Sequence, residues 1–324
     1  MTRTVALLLA GLVLALPASL LAGRVWIDPF DPTTAHAATI LLELRLPRAL
    51  LALVVGAGLG AAGAAMQGYL RNPLADPGLF GIAPSAALGA VLSFWLGIAA
   101  GWTLPLLALA GAAGAMALLS LISGRASESA GGGVALFTLA GMMIASLSGA
   151  LMSLAISLSP TPFAMSEIVT WLMGALADRS WREVWIAAPL TLAGIGVLAL
   201  AGRSLDALTL GEAAARSLGV EPRRLQALMI AGVGLTVGAS VAVAGIIGFV
   251  GLIVPHLVRP LTDRRPSSLL LPSALAGALL LLLADVVCRV LPLAGGELRL
   301  GIALSLVGAP FFLHLLLRMR RGMA

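Results

Sequence analysis

The stretch LPRALLALVVGAGLGAAGAAMQG, Leu46–Gly68, carries a single charge, Arg48 at its third position. About 20 apolar residues in helical form cross the hydrocarbon core of a bilayer. In that medium each backbone N–H and C=O must find its partner inside the protein, which leaves helices or closed barrels. A barrel strand would alternate apolar and polar residues over about ten positions, and this run is continuous. Leu46–Gly68 therefore reads as a membrane-spanning helix. The same pattern recurs between Arg, Pro and Gly clusters at Thr4–Ala22, Gly78–Ala99, Thr103–Ser123, Val134–Leu158, Val184–Ala201, Leu225–Gly245, Ile246–Val258, Ser268–Val290 and Ile302–Leu317. That predicts an all-α polytopic membrane protein of about ten spans, one of them short. Thr4–Ala22 also has the outline of a signal peptide, with Arg3 before it and Ala18–Ala22 at its end. The apolar runs downstream make it the first span. A polar link, Gly23–Ala37, and an amphipathic piece, Thr39–Arg45, join it to the second. Phe163–Leu176 is too short to cross and reads as a helix lying on or dipping into the membrane.

Composition agrees. Hydrophobic residues make up 60% of the 324 and charged residues 10%, against about 25% charged in soluble domains. All 20 basic residues are Arg, set against 14 acids. In a soluble protein that excess would point to nucleic acid. In a membrane protein it marks cytoplasmic loops, and no nucleic-acid partner is expected. With both termini inside, thirteen arginines lie in cytoplasmic segments, including Arg71, Arg203, Arg216, Arg223, Arg224, Arg259, Arg264 and Arg265; seven lie outside, namely Arg24, Arg45, Arg48, Arg179, Arg182, Arg289 and Arg299. The single cysteine, Cys288, excludes an internal disulfide and a cysteine-based metal cluster.

Gly58-Leu-Gly-Ala-Ala-Gly63 matches a dinucleotide-binding pattern, but it lies inside an apolar run with no preceding strand. Helix–helix close approach is the better reading. Arg71-Asn-Pro-Leu-Ala-Asp-Pro-Gly78 is a rigid polar turn whose prolines forbid helix continuation. On its residues alone it is an ordinary loop or a functional one. Thr209–Val220 reads as a short Ala-rich helix stopped by Gly219, either a solvated surface helix or a docking helix. His256 ends the glycine-broken run Gly245–Arg259 and reads as a helix-end hydrogen bonder; His36 and His314 have no supporting ligands, and no metal site is expected. Asp285, the clear intramembrane carboxylate, stands four residues before Arg289, a spacing that pairs them on one face. A self-powered secondary carrier needs several such groups. A phosphate-loop lysine is impossible without lysine. The chain is not an enzyme, and its driving energy comes from elsewhere.

Taken in order, Leu44-Arg-Leu-Pro-Arg48, Asn72–Gly78, Gly211–Gly219, Gly245–Arg259 and Gly308-Ala-Pro-Phe-Phe312 resemble the membrane-spanning permeases of ABC importers for iron–siderophore, haem and cobalamin, the FecCD type. The resemblance covers nearly the whole chain. It implies the type II importer permease fold over 1–324 as a single domain, in the bacterial inner membrane, working by alternating access as a homodimer. It implies two cytoplasmic ATPase subunits, which carry ATP with Mg, and a periplasmic binding protein. This chain itself is expected to bind no cofactor. By the same resemblance Arg45, Arg48 and Arg289 match positions that dock the binding protein, and Asn72 and Leu74 match the inner gate loop. Glu212, Ala213, Ala214, Arg216, Leu218 and Gly219, within a segment of about 203–222, match the helix that couples to the ATPase. One departure is Arg299, where family members often carry Pro. Met142, Met143 and Ser146 are candidate lining for the pathway or plain helix packing. The expected cargo is an iron chelate, a siderophore or haem, with cobalamin as the alternative.

Overall fold

The computed structural model describes residues 2–23, 26, 37–124, 133–291 and 296–321. Arg24, His36, Arg125 and most of the Gly23–Ala37 link lie outside them. The described residues form helices and no strand. The helices are α1 (Thr2–Leu21), α2 (Leu46–Tyr69), α3 (Ile82–Trp95), α4 (Thr103–Gly124), α5 (Gly133–Ser157), α6 (Pro162–Leu172), α7 (Trp181–Leu208), α8 (Glu212–Ser217), α9 (Pro222–Ala244), α10 (Val250–Val258), α11 (Pro266–Val290) and α12 (Leu300–Arg321). A wide-pitched turn, Ile40–Arg45, leads into α2. Among the described residues eight helices are long and apolar enough to cross a membrane, and α3 and α10 are shorter apolar helices. Together these ten coincide with the ten runs read from the sequence. The short α6 starts one residue ahead of Phe163–Leu176 and ends inside it.

Local chemistry sets the helix ends. Pro47, Pro162, Pro222 and Pro266 sit in first turns, where a missing N–H costs nothing. Ser180 and Glu183 form a capping box at the start of α7. One boundary differs from the sequence reading. Arg203–Leu208, expected in the coupling segment, continues α7 as helix. The apolar run stops at Ala201, but Asp206 gives the extra turn a tertiary anchor: its Oδ1 accepts from Ser267 N at 2.8 Å, at the start of α11.

Helix α2 is the centre of the bundle, packed against α11, α7, α10 and α9. Lipid tails are as apolar as leucine, so such helices associate through close packing rather than through escape from water. The glycines supply that closeness. A Cβ built on Gly56 would overlap the Gly277 carbonyl, and one on Gly277 would overlap Gly56; Gly60 faces the Ser273 carbonyl and Gly63 the Gly251 backbone. The dinucleotide-like pattern is thus a helix-packing face. By contrast, α1 is almost wholly uncovered, with 6% of its apolar window buried.

The chain leaves helix between α9 and α10. Gly245 and Phe249 both have positive φ, at 73° and 67°. Backbone groups here find protein partners: Ala175 N donates to Ala244 O at 2.8 Å, and Gly245 N donates to Val241 O at 3.0 Å. Broken helices persist at membrane depth where protein surrounds them in this way. His256 lies on α10 with its ring edge-on to Phe311, centroids 5.8 Å apart.

Candidate functional site

The residues singled out in the sequence collect at the two ends of the bundle. At one end, Arg48 donates from Nε to both Asp285 oxygens at 3.0 and 3.1 Å, and its terminal nitrogen lies 2.9 Å from Oδ1. The same nitrogen stands 2.8 Å from Glu297 Oε2. Arg289 approaches Asp285 Oδ2 at 3.1 Å through the expected i,i+4 spacing. Asp285 is 1% exposed and Arg289 4%. Two arginines therefore share one buried carboxylate, with Glu297 as a second counter-charge. Removing one member of such a buried set strands the others.

The network also holds α1. Arg289 donates to Ser19 Oγ at 2.8 Å and to Ala22 O at 3.4 Å. Arg45 donates to Leu20 O and Leu21 O, both at 2.8 Å. The last carbonyls of a helix lack internal partners and carry the negative end of its dipole, so two guanidiniums there satisfy both needs. The three arginines expected to face a docking protein thus have partners within this chain, and Arg289 is buried. The Asp285–Arg289 spacing was a readable signal. The contributions of Glu297, Ser19 and the α1 carbonyls were not.

At the other end, the loop from Arg71 to Gly81 is built on its own polar side chains. Asn72 Oδ1 accepts from Leu74 N at 2.9 Å, and Asn72 N donates to Gln67 O at 3.1 Å. Asp76 Oδ1 accepts from Gly78 N at 2.7 Å. Burial pushes the Asp76 carboxyl above its ordinary pKa, and the Gly78 N–H opposes that shift. The loop is pinned below by Phe80, stacked on Phe137 with centroids 5.0 Å apart; Phe137 in turn meets Tyr69 edge-on at 5.4 Å.

Helix α8 lies at the same end. Ala215 is buried, while Ala213, Ser217 and Leu218 are exposed, Leu218 at 64%. Gly219 N donates to Arg216 O at 2.9 Å and Val220 N to Ala215 O at 3.0 Å, with Gly219 at φ 86°. That is the Schellman arrangement, in which a left-handed residue lets the chain fold back on the last carbonyls. Glu212, Ala214 and Arg216 are half-buried against the bundle. The helix presents a small, rigid, partly apolar knob.

Between the two ends, Met142, Met143 and Ser146 occupy an uncovered face of α5, with Met142 51% and Met143 72% exposed. Ser148 is turned inward and shares a hydrogen bond of 2.8 Å with Ser85. Among the described residues no three His, Cys, Asp or Glu side chains gather as a metal site would need.

Residues 4–318 match the FecCD transport family. The vitamin B12 import system permease protein BtuC of Salmonella paratyphi A is 41% identical over 314 residues, covering 95% of this chain and 93% of that protein. Its counterpart in Escherichia coli O9:H4 is also 41% identical, over 318 residues, with 96% and 93% covered. A solved chain described as a metal-chelate type ABC transporter in an inward-facing conformation superposes with a TM-score of 0.88 at 33% identity, covering 98% of this chain and 100% of that one. PsaBC from Streptococcus pneumoniae, solved with a Fab, shares the fold alone: TM-score 0.52, 20% identity, 82% and 88% covered. A match across residues 4–318, on a bundle whose broken helix, loop and short helix fall where the motifs stand, makes this chain a member of the FecCD transport family, the multi-pass membrane permeases of ABC importers.

Proposed function

We propose that this chain is the permease of a cobalamin importer. The observation that carries the reading is 41% identity, over 93% of their length, to permeases named for vitamin B12 import. The iron-chelate expectation gives way to the alternative that stood beside it. The uncharged Met142, Met143 and Ser146 face accords with a bulky, neutral-walled cargo route, since methionine makes adaptable apolar surfaces. Two copies of the chain enclose that route, two ATPase subunits sit at the α8 end, and a binding protein sits at the Arg45 end. Both termini are then cytoplasmic. ATP with Mg is bound and hydrolysed by the ATPase.

The test is uptake by proteoliposomes holding the assembled permease–ATPase complex, with the cognate binding protein loaded in turn with cobalamin, haem and a ferric siderophore. ATP-dependent accumulation of cobalamin alone is the expected result. Uptake of haem or the siderophore instead would return the cargo to the iron chelates. Uptake that survives ATP depletion and collapses with the proton gradient would revive a secondary carrier.

Docking at the outer end falls to Arg45 and Arg48, while Arg289, expected beside them, is buried against Asp285 and Ser19 and supports that end from within. Arg45 is half-buried and bonds the α1 carbonyls rather than Asp285, so its reversal leaves the Asp285 ion pairs in place while loosening the end of α1. Arg45→Glu is expected to slow binding-protein capture, because charge at an interface acts mainly on association rate. A capture rate equal to wild type at low salt removes Arg45 from that role.

Coupling rests on α8. A Cβ at Gly219 meets no atom within 4 Å, so the effect of Gly219→Val is expected to be conformational. A β-branched residue at positive φ costs about 1–2 kcal/mol, which unwinds the end of α8. Lowered uptake per ATP hydrolysed, with the complex still assembled, is expected. An unchanged ratio counts against α8 as the coupling element.

A further inference from the structure

Beneath the loop that begins at Arg71 lies a cleft of about 180 Å³, bordered by Pro73 of that loop and by Thr209 ahead of α8. Its walls run from apolar Ala64 and Leu269 inside the bundle to Arg71, Arg259 and Arg264 at the rim. None of its lining residues is acidic. Arg259 donates to Gln67 Oε1 at 2.6 Å, while its buried Nε has no acceptor among the described residues. Neither Arg71 nor Arg264 forms an ion pair among the described residues, and the Arg264 charge acts unfavourably on Arg259.

The nearest carboxylates are committed elsewhere. Asp206 caps the start of α11 through Ser267. Asp263 accepts from the Ser268 hydroxyl and from Arg265 N. Two of the three rim arginines also hold left-handed backbone, Arg71 at φ 51° and Arg264 at φ 65°. Non-glycine residues adopt that region at a cost. The fold thus accepts strain at positions that bring like charges together around a concavity, an arrangement that suits an anion.

The setting names the anion. Thr4 Oγ1 donates to Leu261 O at 2.7 Å, which seats the uncovered helix α1 beside this rim. Leu261 itself is 60% exposed. Uncovered apolar surface for acyl chains therefore lies beside the rim, next to a cleft with apolar Ala64 and Leu269 in its wall and guanidiniums at its edge. Basic pockets between membrane helices take acidic headgroups in this geometry. We propose that the cleft binds the phosphate of an anionic phospholipid from the surrounding bilayer, gripped by Arg71, Arg259 and Arg264. Such a grip is independent of the cargo carried.

The test uses the assembled permease–ATPase complex, equilibrated in detergent with equal amounts of phosphatidylglycerol and phosphatidylcholine. Retained lipid is counted by native mass spectrometry. Wild type is expected to keep phosphatidylglycerol in excess. The preference should fall roughly fivefold for each of Arg71→Gln and Arg264→Gln, and persist in Arg264→Lys. The lysine variant, with size-exclusion of all three, separates lost binding from lost folding. Equal retention of the two lipids by wild type overturns the proposal, as does a preference that the glutamine variants keep. Stabilisation by inorganic phosphate without lipid preference gives the site to a free anion and overturns the lipid source. Phosphatidylglycerol held by the permease alone but expelled on ATPase assembly gives the cleft to an acidic ATPase side chain and overturns it as well.

Discussion

Asp285→Ala is expected to destabilise the permease by about 3–5 kcal/mol, the cost of leaving buried charge without its partner. The substitution strands two guanidiniums at once. Arg48 loses three contacts within 3.1 Å and keeps only Glu297; Arg289, 4% exposed, keeps only Ser19 and a long bond to Ala22 O. The α1 end, which both Arg289 and Arg45 tie down, should loosen with it. The measurement is the midpoint of thermal unfolding in detergent, followed by loss of the monodisperse peak. Adding Arg48→Met and Arg289→Met to Asp285→Ala should recover much of the loss, because an apolar set of similar volume has no charge to solvate. A single-variant midpoint equal to wild type would mean that Asp285 holds nothing together.

This network marks the border of what the chain shows by itself. The spans were legible because a bilayer leaves a run such as Leu46–Gly68 one choice of structure. Even the short Val250–Val258 helix, broken from α9 by Gly245, announced itself through glycine and Pro255. The Asp285–Arg289 pair was legible because helix geometry fixes an i,i+4 distance. Arg48 was not, since it joins Asp285 from 237 residues away. Nothing local predicts that contact, and the docking role assigned by resemblance gave no hint that Arg48 and Arg289 have partners of their own. Likewise, Arg203–Leu208 reads as a polar loop until Asp206 is seen to cap a distant helix. Cargo was illegible for a different reason: the exposed α5 face offers methionine and serine, which bind by shape and carry no selective charge.

Gly277→Leu should be the most damaging single change in the membrane interior. Helices α2 and α11 touch backbone to backbone at Gly56, Gly60, Ser273 and Gly277, and a Cβ at Gly277 would already overlap Gly56. No rotamer relieves that overlap, because the obstructing atoms are main chain. The helices must separate along the whole contact, and the packing that holds them in lipid is lost with the separation. Overpacking a well-filled core costs about 1–3 kcal/mol where side chains can yield, and here none can, so the expected loss exceeds that range. Fluorescence-detected size exclusion should show little or no monodisperse folded protein. Gly196→Leu, on α7 with no atom within 4 Å of its Cβ, is the matched control and should express normally. A Gly277→Leu protein that purifies like the control would show that the α2–α11 contact can open without consequence. The centre of the fold would then have to lie in the α2–α7 and α7–α9 contacts instead.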